Sequence, residues 1–169
     1  MAAFVIDASA TLPWCFADEA TEATNAVLTH LRTGDEAIVP AHWPLEVANA
    51  LLIAVRRKRI SPQDAHQFLE DLEFLPIRVD TTTKNLVRAG VFPVAEQYGL
   101  TIYDAAYLEL AMRESTPLMT LDNDLQSRTR LGSSVSGTTA LSPAINIKER
   151  HHAHEKPTSS RTKHTNRLP

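Results

Sequence analysis

A chain of 169 residues with a formal charge of −3 has room for one domain with a sizeable core and a tail, and is cramped for two. No apolar run approaches the roughly eighteen residues that span a bilayer, and the opening Met-Ala-Ala-Phe-Val-Ile-Asp meets an acid too early for a signal peptide, so no membrane association and a cytoplasmic location are expected. Residues 1–147 hold 11 Lys or Arg against 18 Asp or Glu, a balance of −7, and residues 148–169 hold 6 against 2, a balance of +4; the overall field of the body would therefore not attract a polyanion, which would need local basic patches, bound cations or the tail.

Phe4, Val5 and Ile6 predict a short strand buried on both faces, because apolar residues follow one another without polar alternation. Asp7 ends it, and is at this point as plausible a cap for the next helix as a site residue. Ser9 to Phe16 reads as a short helix or turn with Pro13 near its start. Cys15, the only cysteine, excludes an internal disulfide and a thiolate zinc cluster, and between Trp14 and Phe16 it reads as a structural thiol. Ala23, Val27 and Leu31 mark a helix over Thr21 to Arg32 that Gly34 stops, and Ala37 to Pro40 predicts a second strand. Strand, helix and strand in that order imply a parallel crossover.

Pro44 opens a helix that is apolar almost all the way round to Val55, with Leu45, Ala48, Leu52 and Val55 as its expected inner stripe. Glu46 in that helix either sits in apolar surroundings and needs a donor or a cation, or is an exposed first-turn acid favoured by the helix dipole. Arg56-Arg-Lys-Arg59 is the dense basic run of the body, either a solvated helix end or an RNA-contacting patch. Ser61-Pro-Gln-Asp64 carries a capping signature for the next helix. Leu75 to Val79 predicts a third strand ending at Asp80, then a helix that Pro93 breaks or kinks before Tyr98-Gly99. Thr101-Ile-Tyr-Asp104 heads a helix to Arg113 with Ala105, Leu108 and Met112 inward. Pro117 to Leu121 predicts a fourth strand, and a short helix to Leu131 closes at Gly132. A last weak strand is placed around Val135. Positions 1–141 thus form the domain, and 142–169 a basic, His-containing, disordered tail. His151-His-Ala-His154 lacks the carboxylate or cysteine pair that would complete a metal site.

Acids at strand ends and helix starts are common, and Asp80 and Asp64 occupy the same kinds of position as Asp7, Asp122 and Asp104. What separates the second set is convergence: Asp7, Asp104 and Asp122 would open onto one sheet edge together with Glu46. Two carboxylates about 4 Å apart repel by about 4 kcal/mol at an effective dielectric of 20, so such a group needs a cation. Oxygen ligands suit Mg²⁺ or Mn²⁺, and the implied chemistry is metal-assisted phosphodiester hydrolysis.

Asp7-Ala-Ser9 after a Phe-Val-Ile strand, Glu46-Val-Ala-Asn49, Tyr103-Asp-Ala-Ala-Tyr-Leu-Glu-Leu-Ala111 and Thr120-Leu-Asp-Asn-Asp-Leu125 together resemble the PIN-domain ribonucleases, and most closely the VapC toxins of toxin–antitoxin pairs. The resemblance covers about Ala2 to Gly137. It implies a three-layer α/β/α fold with a central parallel sheet of four to five strands and a homodimer. It also implies an endoribonuclease acting on tRNA or rRNA, silenced by a VapB-type antitoxin. By the same resemblance Asp7, Glu46, Asp104 and Asp122 hold Mg²⁺, or Mn²⁺ as a substitute, with Asp124 as an additional acid. Thr120 steadies the pocket, and Ser9 and Asn49 support the acids from behind. Two departures stand out: Ser133-Ser-Val-Ser136 is poor strand material, and the tail from Lys148 lies outside the family pattern. The competing readings are a non-catalytic PIN-like RNA-binding or scaffold protein, and a phosphatase using Asp7 as nucleophile. The second wants Asp-x-Asp-x-Thr where this chain has Asp7-Ala-Ser-Ala-Thr11.

Overall fold

The computed structural model describes residues 2–132 and 145–146. Five strands, β1 (Ala3–Ile6), β2 (Glu36–Pro40), β3 (Ile77–Asp80), β4 (Leu118–Thr120) and β5 (Ile145–Asn146), form one sheet in the order β3-β2-β1-β4-β5, every pairing parallel. Phe4, Val5 and Ile6 of β1 and Ala37, Ile38 and Val39 of β2 are all buried, as strands covered by helices on both faces must be. The result is the expected α/β layering of a parallel sheet flanked by helices. The strand placed around Val135 lies outside the described residues, as does most of the stretch read as tail. Ile145–Asn146, inside that stretch, pairs with Met119–Thr120.

Local chemistry explains most of the helices. In α1 (Ala8–Thr11) the cap is Asp7. The next helix, α2 (Glu22–Arg32), starts at a reciprocal capping box between Thr21 and Thr24 and buries Val27 and Leu31. Gly34, at φ +107°, then turns the chain back toward β2. Helix α3 (Trp43–Arg56) corrects the expected stripe. Trp43, Val47, Leu51 and Ala54 face inward, while Leu45 and Leu52 are exposed. A helix apolar around most of its circumference has no periodicity from which to read its phase. Helix α4 (Pro62–Glu73) carries the expected Ser61–Asp64 capping box.

Pro93 is also corrected. It stands not inside a helix that begins at the threonines but in the first turn of α5 (Phe92–Tyr98), where its missing N–H costs nothing. Ahead of it lie a short 3₁₀ turn, Thr83–Asn85, and a π-helical turn, Val87–Val91. Helix α6 (Ile102–Glu114) runs through the core, buried continuously from Ala105 to Ala111, with Met112 exposed instead of inward. The chain then enters β4 and α7 (Asn123–Gly132).

The far end of α6 is anchored. Arg113 donates to the buried Asp80 at 2.9 Å, to Glu109 at 3.0 Å and to Glu114 at 3.0 Å. Asp80 also accepts from the Thr83 backbone N–H at 2.7 Å and hydroxyl at 2.5 Å. Burial acts to raise the Asp80 carboxyl, but the Thr83 bonds and the Arg113 charge outweigh it and hold the group below the usual carboxylate range. The unfolded chain therefore binds this proton more readily than the folded one. The contribution is present above the unfolded carboxylate pKa and is lost as pH falls through the lower folded value. Asp80→Asn should cost about 2 kcal/mol at neutral pH, less than a fully buried pair because Arg113 is partly open to solvent. Urea unfolding should show the gap between parent and variant closing in acid. A gap that stays constant with pH would mean the ion pair is not its source.

Candidate active site

Strands β1 and β4 are neighbours, so Asp7, just after β1, and Asp122, two residues past β4, leave the same sheet edge side by side. Asp7 is buried. Its Oδ1 accepts from the Ser9 hydroxyl at 2.7 Å and the Ala10 N–H at 3.0 Å, and its Oδ2 accepts from the Thr120 hydroxyl. Thr120 Oγ1 in turn accepts from the Asp122 N–H at 3.0 Å, and Ser9 Oγ from the Leu121 N–H at 2.8 Å. Ser9 and Thr120 thus fasten the start of α1 to the end of β4 through the Asp7 carboxylate. Burial pushes the Asp7 carboxyl above the usual range; the Ser9, Thr120 and Ala10 bonds oppose it, and the Asp122 charge adds repulsion. Asp122 Oδ1 accepts from the Asp124 and Leu125 N–H groups at 2.8 and 2.9 Å, starting α7.

Glu46 and Asp104 stand on α3 and α6. Glu46 is half-buried, not immersed in apolar surroundings, and the Tyr107 hydroxyl donates to its Oε2. Burial, with the charges of Glu46 and Asp7, pushes the Tyr107 hydroxyl well above its ordinary pKa, so it stays a donor. His42 Nε2 lies 3.6 Å from Glu46 Oε2. Its ring meets those of Tyr103 and Tyr107 edge-on, at centroid distances of 5.4 and 5.0 Å. Burial lowers the His42 pKa, against the pull of Glu46 and Asp104. Asp104 stands in the first turn of α6 and accepts from the Thr101 hydroxyl at 2.7 Å, while its own N–H donates back to Thr101 Oγ1 at 3.2 Å.

The charge of Asp122 is felt at Asp7, those of Glu46 and Asp7 at Tyr107, and those of Glu46 and Asp104 at His42. Asp124 is exposed in the first turn of α7, and Asn49 is exposed on α3, one turn after Glu46. The look-alike acids differ in their partners. Asp80 is neutralised by Arg113, and Asp64 closes the Ser61 cap. Among the described residues no Lys or Arg pairs with Asp7, Glu46, Asp104 or Asp122. Nor do any three His, Cys, Asp or Glu side chains gather closely enough to hold an ion by themselves. In the basic run Arg59 is committed to Asp18 and Glu19 and lies over the Phe16 ring, which favours the structural reading for that residue.

The PIN domain family model matches residues 4–131. The chain belongs to the PIN-domain family. Within it the type is VapC: the chain is 31% identical over 126 residues to Ribonuclease VapC3 of Pyrobaculum aerophilum, covering 73% of this chain and 92% of that one. A crystal structure of PAE2754 from Pyrobaculum aerophilum shares the fold at a TM-score of 0.58 and 24% identity, over 76% of this chain and 81% of its own. A second, of VapBC2 from Rickettsia felis bound to a promoter DNA fragment, does so at 0.51 and 14%, over 71% and 87%. In this PIN domain the residues that sequence reasoning missed are His42 and Tyr107. The traces of them were slight: His42 stands one turn before Glu46, and Tyr107, inside the motif from Tyr103 to Ala111, one turn after Asp104.

Proposed function

We propose that this VapC-type PIN domain is a Mg²⁺-dependent endoribonuclease that hydrolyses RNA phosphodiester bonds, with tRNA or rRNA as target and Mn²⁺ as a possible substitute. One observation carries the reading. Asp7 is a buried carboxylate beside a second one, Asp122, and among the described residues neither has a cationic side chain to balance it. An all-oxygen donor set suits a hard cation that keeps several waters and needs only one or two direct carboxylates. Asp7, Glu46, Asp104 and Asp122 would hold it, with Asp124 at the rim. Glu46 Oε1, Asp104 Oδ1 and Asp122 Oδ2 have no hydrogen-bond donor among the described residues, which leaves them for this task.

Bound there, the cation supplies Lewis acidity to a water nucleophile and to the leaving oxygen of an in-line displacement. The chain's own part is to hold the acids in place. Ser9 and Thr120 fix Asp7, Tyr107 fixes the Glu46 carboxylate, Thr101 fixes Asp104, and the α7 N-terminus orients Asp122. Asn49 stands exposed on α3, one turn beyond Glu46. A VapB-type antitoxin and a second copy of the chain are the partners that the VapC type implies, and the cytoplasm is its place of action. Among the described residues no helix is long and apolar enough to cross a membrane.

Incubating the purified chain with total RNA tests this. Discrete new 5′ ends should appear with Mg²⁺ and vanish with EDTA, and Asp104→Asn should slow their formation by about a hundredfold or more, roughly 3 kcal/mol in the barrier. A variant that cuts as fast as the parent overturns the site assignment. If neither cuts, the non-catalytic reading takes its place.

A further inference from the structure

Tyr103 is the residue immediately before Asp104, and it stands at the mouth of α6 with 62% of its surface open to water. A large aromatic side chain in that position does not serve the core. It is nonetheless held, because its ring meets the edge of His42 at 63°, and His42 meets Tyr107 at 76°. Tyr107 is fully within the protein and bonds Glu46. An unbroken aromatic line, Tyr103, His42, Tyr107, therefore runs from solvent to Glu46.

We infer that Tyr103, backed by His42, is the platform on which an unpaired nucleobase next to the scissile phosphate stacks. The inference rests on the ribonuclease reading above and assigns a residue of this chain to the base beside the cut. Three arguments converge. First, the described body is net acidic and Arg59 of its basic run is already committed to Asp18 and Glu19, so a contact that does not depend on charge adds affinity the overall field does not supply. Stacking is neutral and needs no basic groups, and exposed tyrosines are among the side chains that unpaired bases stack on. Second, the Tyr103 ring lies 5.4 Å from that of His42, whose Nε2 is 3.6 Å from Glu46 Oε2, so a base stacked there would bring its phosphate toward the acids. Third, bases inside a duplex are already stacked on one another, so the ring can accept only one that is free or flipped out.

The test uses the full chain and a labelled, unstructured RNA oligonucleotide containing the mapped cut. Tyr103→Ala should raise KM by about ten- to a hundredfold with a much smaller change in kcat, while Tyr103→Phe and Tyr103→Trp keep most of the parent's affinity. An abasic nucleotide beside the cut should hurt the parent but add nothing to the Tyr103→Ala loss. A Tyr103→Ala variant with the parent's KM, or an abasic penalty of equal size in both proteins, overturns the platform while leaving the nuclease reading intact. If the parent cuts no RNA, binding of the same oligonucleotide in EDTA still decides. Binding that Tyr103→Ala weakens supports the platform; binding that it leaves unchanged, or no binding by the parent, removes it.

Discussion

Asp7→Asn should reduce RNA cleavage by about a thousandfold or more, roughly 4 kcal/mol of transition-state stabilisation, without unfolding the protein. The substitution removes a charge and keeps a shape. The amide oxygen can still accept from Ser9 and Ala10, so the cap of α1 survives. The new NH₂ meets Thr120, whose hydroxyl can turn from donating to accepting. In the absence of a divalent ion the variant should be at least as stable as the parent, because the buried Asp7 carboxylate is held against its own desolvation and the repulsion of Asp122. Two measurements check this: cleavage rates with Mg²⁺, and melting temperatures in EDTA. A variant that melts well below the parent would mean that Asp7 is a structural cap whose loss damages the fold. One that still cuts would remove it from the chemistry altogether.

The second large effect concerns the ion itself. Mg²⁺ at a hundred times its dissociation constant should stabilise the folded chain by about 2.7 kcal/mol, and chelation should return both the melting temperature and the cleavage to baseline. This readout does not depend on turnover. The shift should be small or absent in Asp7→Asn, since the charge that needs balancing is gone. An equal shift in parent and variant would place the stabilising ion somewhere other than the acidic pocket.

The sheet could be read from the sequence because parallel strands buried on both faces leave continuous apolar runs, as Phe4 to Ile6 and Ala37 to Val39 do. The phase of α3 could not. Apolar residues ring that helix, and only packing decides that Val47 and Leu51 go inward while Leu45 and Leu52 stay out. Pro93 misled for a different reason: a proline inside a long helical pattern looks the same as one that begins a helix after a π turn. In the site, the four acids could be listed from motifs, but their neighbours could not. The bond from Tyr107 to Glu46 joins residues 61 positions apart, and the adjacency of Asp7 and Asp122 depends on β4 lying next to β1. Neither is a local property of the chain.

Helix α6 is keyed at two points. Arg113 locks its last turn to Asp80 at the end of β3, and Tyr107 locks its middle to Glu46. Asp104 lies nine residues before Arg113, about 13 Å along the axis, and each residue of slippage would rotate the helix by about 100°. The Arg113 clamp therefore acts as an indexing pin that sets the angle at which Asp104 is presented, although it never approaches the acids. Loosening that pin by Asp80→Asn would blur the aim of Asp104 while every acid of the pocket remained in place.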